Sequence, residues 1–382
     1  MTDTAYRFGI EEEFFLADAA TRGTPRRGVA GFHAAARSLL PAERELLQSQ
    51  IEIATPPCTG IAAARDSLTG RRRGLAEIGR AHGLLVFAAG THPTAAWESQ
   101  RPTDGARYHG ILDAVRMVGR RSVVGGLHVH VEVAHPENRV DLMNRLLPFL
   151  PLLLALSVSS PFWDGRDTGL AGYRLSAFGE MPRTGLPDLF DGPDAYDRYV
   201  RVMTSAGAIE DASFLWWHLR PSVRFPTLEL RIADSCPRVE DTLAIAGLYR
   251  CLVRCAERRP ELNAGIDGVA RALARENQWR AQRDGVRMEV VDEAAGGARP
   301  FGEALETVLS LVAEDAEALD CRDALDHARR VARDGTASER QRAVFSRACE
   351  AGATDDDALA AVVDDLAALT EGREGGGDPR GG

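Results

Sequence analysis

The sequence predicts an α+β fold: an antiparallel or mixed sheet flanked by helices, with a helical C-terminal part. Two observations predict it. Segments of strand length lie almost all before residue 235, and the helical segments among them do not alternate strictly with strands. From about residue 236 onward every remaining segment has helical composition.

In chain order, residues 6–16 read as a strand in which Glu11 and Glu13 share one face and Glu12 takes the other. Residues 31–40 are the first helix. Residues 46–54 are a strand in which Glu52 points away from its neighbours Ile51 and Ile53. Residues 60–82 are a helix, with Arg71 to Arg73 on its solvated face. A short strand at 84–89 and a helix at 107–120 follow. In the strand 127–133, His128 and His130 share a face. Helices at 139–158 and 196–208 come next. The charge-free stretch 146–163 approaches transmembrane length, but its three prolines and three serines mark it as a buried helix. Residues 216–221 add a strand candidate. In the strand 227–233, Glu229 and Arg231 share one face, and Leu228, Leu230 and Ile232 the other. The C-terminal helices are 239–257, 266–283, 302–317, 321–334, 338–351 and 355–369. With no internal repeat and no Pro/Gly-rich linker, residues 1–370 read as one domain, and the Gly-rich, charged 371–382 as a disordered tail.

The 382 residues are 45% hydrophobic, enough for a large core, and the net charge of −10 without a long basic segment argues against nucleic acid as a partner. All 46 basic residues are arginines. The absence of lysine excludes a P-loop lysine, a pyridoxal-phosphate Schiff base and a lysine nucleophile. Phosphate, if handled, is handled by arginine, metal and backbone amides. The scattered cysteines, including Cys251 and Cys255, lack a zinc-site pattern and suit a reducing cytosol. The polar N-terminus enters the first strand at once, without a signal peptide, so the expected location is cytoplasmic, with no membrane partner.

Two carboxylates side by side on a strand repel and lose hydration, which calls for a cation such as Mg²⁺ or for continued contact with water. One such strand is compatible with a solvated acidic edge. Three strands offering Glu11 and Glu13, Glu45 and Glu52, and Glu229 beside Arg231 look more like one polar cavity inside a sheet. The spacing of His128 and His130 suits either a transition metal or a hydrogen-bonded pair lining a cleft. Arg107-Tyr108, Gly172-Tyr173-Arg174 and the helical face of Asn277, Arg280 and Arg283 are polar features that only a shared site would raise above surface residues.

At this point the chain resembles the carboxylate–amine ligases of the glutamate–cysteine ligase type 2 group. The resemblance runs from about residue 6 to 284. It rests on Gly9-Ile10-Glu11-Glu12-Glu13-Phe14, Ile51-Glu52-Ile53-Ala54-Thr55-Pro56, Gly90-Thr91-His92-Pro93 with Trp97, Arg107-Tyr108, Gly126-Leu127-His128-Val129-His130-Val131, Arg220-Pro221-Ser222 and residues 227–234, in that order. It implies a curled antiparallel or mixed sheet, a funnel of the glutamine synthetase/guanido kinase-like type, with ATP and Mg²⁺ (Mn²⁺ as the alternative) at one end. It implies Glu11, Glu13, Glu45, Glu52, His128 and Glu229 as metal ligands and Arg231 as the catalytic arginine facing the transferred phosphoryl group. Arg107, Tyr108, His130 and Arg174 follow as nucleotide- or substrate-contacting groups. The implied reaction joins a glutamate-like carboxylate to cysteine or another amine through an acyl phosphate, with glutamate–cysteine ligation as a weak or surrogate activity. A homo-oligomer is left open.

The sequence departs from the family pattern at four places. Glu45 stands for Asp, Gln48 for a frequent Glu, Glu132 for Gly after the His-x-His segment, and His218 for Asp. The last two are expected near the substrate. Two other readings remain at this level: a hydrolase holding Zn²⁺ or Mn²⁺ on His128 and His130, and a non-catalytic nucleotide- or small-molecule-binding relative.

Overall fold

The computed structural model describes residues 5–373, the side chain of Arg107 excepted. Seven strands form the main sheet: β1 (Phe8–Asp18), β2 (Ala42–Arg44), β3 (Gln50–Ala54), β4 (Leu84–Phe87), β5 (Leu127–Glu132), β6 (Leu219–Pro221) and β7 (Thr227–Leu230). Their order is β6-β7-β5-β1-β3-β2, with β4 on the far end of β1, and every pair is antiparallel. β1 is the hub, pairing with β3, β4 and β5.

The two faces of this sheet differ in chemistry because of the period-2 alternation. On the back, Phe8, Ile10, Leu127, Val129, Val131, Leu219, Leu228 and Leu230 pack into the main core with helix α3 (Val239–Arg258). Farther along, Phe14, Leu16, Ile51 and Ile53 pack with Phe32 of α1 (Val29–Leu39) and Leu75 and Ile78 of α2 (Ile61–Ala81). The front face is split. Phe15 and Ala17 are covered by Leu359, Val362, Val363 and Leu366 of the C-terminal helix α4 (Asp355–Glu371). The half that carries Glu11 and Glu13 faces a cleft.

Several element boundaries differ from the sequence reading. The second strand starts at Gln50 rather than 46, and Ala42–Arg44 adds a strand that the sequence reading missed. The helix expected at 107–120 breaks at Arg116, whose φ is 57°. The helix expected at 139–158 is interrupted by a 3₁₀ turn at Leu147–Phe149, where Pro148 and Pro151 withhold backbone donors. The all-helical expectation for the C-terminal part fails at one hairpin, Glu289–Asp292 with Gly297–Pro300. At the C-terminus α4 runs through Glu371 and ends on Gly372 in the left-handed region, so the expected tail starts too early. Residues 374–382 lie outside the described residues. Among the described residues one helical run, Pro136–Ser157, is long and apolar enough to span a membrane, and 78% of its 18-residue apolar window is buried inside the fold.

Buried arginines act as staples. Arg250 is 2% exposed and donates to the carbonyls of Tyr6 (2.7 Å), Ala5 (2.9 Å), Thr59 (2.9 Å) and Leu319 (3.1 Å). One planar fork thereby ties the N-terminus, the loop before α2 and the C-terminal helices to α3.

Candidate active site

Antiparallel register assembles the site. Glu11 lies opposite His128, Glu13 opposite Glu52, Glu229 opposite His130 and Arg220, and Glu52 opposite Glu43. Directly opposed residues project to the same face, so a continuous polar strip crosses six strands. The strip floors a cleft of about 600 Å³ whose lining includes Glu11, Glu13, Glu43, Glu45, Glu52, Tyr108, His128, His130, Arg174, Arg220, Glu229 and Arg231. No described residue after Arg231 lines it, so the C-terminal helices close the core and leave the cleft open.

The carboxylates fall into two electrostatic classes. Burial pushes Glu11 up, but hydrogen bonds from His128 and His130 outweigh it and hold the carboxyl below its ordinary range. Glu229 is likewise 3% exposed yet ionised, because Arg231 and Arg220 flank it. Arg231 Nη1 donates to Glu229 Oε1 at 2.5 Å, and Arg220 grips both oxygens at 2.8 and 3.2 Å. Glu45 and Glu52 behave in the opposite way. Burial and the nearby Glu13 push Glu45 up to about 8, and burial with Glu45, Glu11 and Glu13 pushes Glu52 well above its usual range. They are the acids most in need of a cation.

The donor set fits a divalent metal. Ligand atoms of Glu13, Glu52 and His128 lie within 4.8 Å of one another, as do those of Glu11, His128 and Glu229. His128 Nε2 is buried without a hydrogen-bond partner and stands 3.6 Å from Glu13 Oε1. Burial, then Arg231, lowers the His128 pKa, which keeps the ring neutral and able to ligate. Carboxylates with one imidazole suit a hard cation of the Mg²⁺ or Mn²⁺ type. Glu13 is oriented by the Gly126 N–H, which donates to its Oε2 at 2.7 Å.

The remaining expected residues separate. His130 joins neither trio: its Nδ1 lies 3.0 Å from Thr227 Oγ1 and its Nε2 3.4 Å from Glu11 Oε1. The Tyr108 hydroxyl lines the cleft and donates to the Arg44 carbonyl at 2.5 Å. Arg174 is 2% exposed, reaches the Arg231 and Ile232 carbonyls at 3.3–3.4 Å, and leaves its Nε unpartnered. The side chain of Arg107 lies outside the described residues. Two expected neighbours of the substrate do not line the cleft. Glu132 is spent on Arg7 at 2.8 Å near the surface, and His218 is buried, its pKa pushed down to about 3 by burial and then by the charges of Arg174 and Arg231. Gln48 is structural, donating to the Pro102 carbonyl. The sequence reading missed Arg220 and Glu43 as site residues. The hairpin pairing of 219–221 with 227–230 was the signal that could have placed Arg220 against Glu229.

Comparison with known proteins agrees with this geometry. The chain matches glutamate–cysteine ligase family 2 over residues 7–364. A protein of Ectopseudomonas mendocina, provisionally named glutamate–cysteine ligase 2, is 46% identical over 370 residues, 96% of this chain and 98% of its own. The solved glutamate–cysteine ligase of Francisella tularensis in complex with AMP aligns with a TM-score of 0.67 over 95% of this chain and 92% of that one, at 12% identity. A bifunctional glutathione synthetase from Pasteurella multocida aligns with a TM-score of 0.68 at 14% identity over 96% of this chain, which spans 52% of that protein. At such identities the two structures show a common fold. The chain belongs to glutamate–cysteine ligase family 2 and is a carbon–nitrogen ligase.

Proposed function

We propose that the protein is an ATP-dependent carboxylate–amine ligase that forms an amide through an acyl phosphate, and that residues through about 370 work as one catalytic domain. The observation that carries this reading is the convergence of Glu11, Glu13, Glu52 and His128, from three adjacent strands, beside Arg231 in one cleft. ATP as co-substrate is supported by the family and by the AMP complex of the Francisella tularensis enzyme. The resemblance favours a glutamate-like carboxylate and cysteine or another amine as substrates.

Glu11, Glu13, Glu52 and His128 would hold Mg²⁺, with Glu45 close by and Glu229 shared with its arginines. A divalent cation there neutralises the charge between nucleotide phosphates and the substrate carboxylate. The substrate carboxylate attacks the γ-phosphorus and ADP leaves; an amine then attacks the acyl carbon and phosphate leaves. Arg231 serves the first step. Glu229 fixes one edge of its guanidinium, and Arg231 lines the cleft, where it bonds a phosphoryl oxygen as charge develops. Arg220 holds Glu229 from the other side and keeps Arg231 from swinging away.

The test is ADP release with Mg²⁺ and a panel of amino acids and amines, with and without EDTA. Release that needs both an amine and Mg²⁺ supports the ligase. Hydrolysis without ATP would favour the metal hydrolase, and ATP binding without ADP release the non-catalytic relative.

A further inference from the structure

Glu12 is the one member of the Glu11–Glu13 run that the cleft does not use. It projects through the sheet to the back, where it is 0% exposed. There Arg72 of α2, 1% exposed, grips it with two donors, the Nε–Oε2 contact measuring 2.9 Å. The Thr242 hydroxyl of α3 donates to Glu12 Oε1 at 2.7 Å. The rest of the Arg72 fork reaches the Pro237 carbonyl at 2.8 Å and the Cys236 carbonyl at 2.9 Å. Every oxygen and nitrogen of this buried pair is thus engaged.

Those two carbonyls end the segment that begins at Arg231. The same segment touches β1 on the front, where the Ser235 hydroxyl donates to the Glu13 carbonyl at 2.8 Å. It also bridges to Gly126, the residue whose N–H orients the Glu13 carboxylate. One guanidinium therefore locks the strand of Glu11 and Glu13 to the segment of Arg231, from behind and in a fixed plane.

We propose that the Arg72–Glu12 pair is a positioning device: it sets the distance between the cation-holding carboxylates of β1 and Arg231. This rests on the ligase reading above. The charge pairing by itself is not required for stability, because an apolar pair of similar volume commonly replaces a buried ion pair without loss. The carbonyls of Pro237 and Cys236 add a stability share that the melt reads separately. What an apolar pair lacks is direction, and a misplacement of about 1 Å costs about a hundredfold in rate.

The test is the double variant Glu12→Leu/Arg72→Met, with Arg72→Lys as the milder change that keeps the charge and loses the fork. Thermal melting reports the fold, Mn²⁺ titration reports the carboxylate cluster without turnover, and ADP release gives kcat and KM for ATP. The expected result for the double variant is a cooperative melt at a lowered temperature, because the Pro237 and Cys236 carbonyls lose their donor, with Mn²⁺ affinity and kcat each lower by about tenfold or more in the folded protein and KM for ATP much less changed. Arg72→Lys is expected to move the same quantities the same way, less far. Wild-type kcat and Mn²⁺ affinity in either folded variant would overturn the positioning role and leave the ligase intact. A wild-type protein that neither binds Mn²⁺ nor releases ADP would overturn the ligase reading, and the positioning role with it.

Discussion

Arg231 has one edge on Glu229 and lines the cleft, a geometry suited to a group that acts when phosphoryl charge develops. Losing such a donor costs about 3–4 kcal/mol in the transition state. Arg231→Ala is therefore expected to lower kcat by about a hundredfold or more while changing ATP affinity little; equal losses in steady-state kcat and in ATP binding would refute it. Gly126 makes a second prediction at this scale. A Cβ there would lie 2.4 Å from Arg174 Nη2 and 3.1 Å from His128 Nε2, so Gly126→Ala must displace one or both. Weakened Mn²⁺ binding in a folded Gly126→Ala protein is the expected outcome, read by titration. Glu11, Glu13, Glu52 and His128 were legible as one-face residues because strand alternation is local. Arg220 was not, because its partner is defined only when β6 meets β7.

Strand pairing turns separate acids into a cluster, and the cluster makes stability depend on pH. Glu45 and Glu52 are held above the ordinary carboxyl value in the fold and titrate normally in the unfolded chain. Between about pH 4.5 and about pH 8 the metal-free folded state therefore binds more protons than the unfolded state, and these groups lower stability as pH rises through that window. Mg²⁺ favours their ionised forms, so its gain in melting temperature should be larger at about pH 8 than at about pH 6. Melting curves at the two values check this; an equal Mg²⁺ gain would remove Glu45 and Glu52 from the cation site. In the same vein, Glu13→Gln is expected to raise the Mg²⁺ concentration needed for half-maximal ADP release, and an unchanged titration would take Glu13 off the ligand list. At this scale the sequence showed strand cores more clearly than ends. Where the second strand begins depends on its partners, and the break at Arg116 is a backbone choice that composition does not encode.

Across the whole molecule, connections run through arginine, the only strongly basic side chain available. Arg250 joins segments hundreds of positions apart, and Arg250→Met would strand buried carbonyls at Tyr6 and Leu319. The expected loss is about 3 kcal/mol or more, read from urea unfolding; a loss below about 1 kcal/mol would show that water or a shifted chain replaces the fork. Alternation, composition and motif order were enough for the fold class, the family and the polar strip, since each follows from spacing along one strand or from the order of segments. Three matters waited for the folded chain: that Glu229 is clamped by two arginines, that Glu132 and His218 lie off the cleft, and that Glu12 is locked from behind by Arg72. Each is a contact between residues distant in sequence. Spacing fixes which way a side chain points; only packing fixes what it meets.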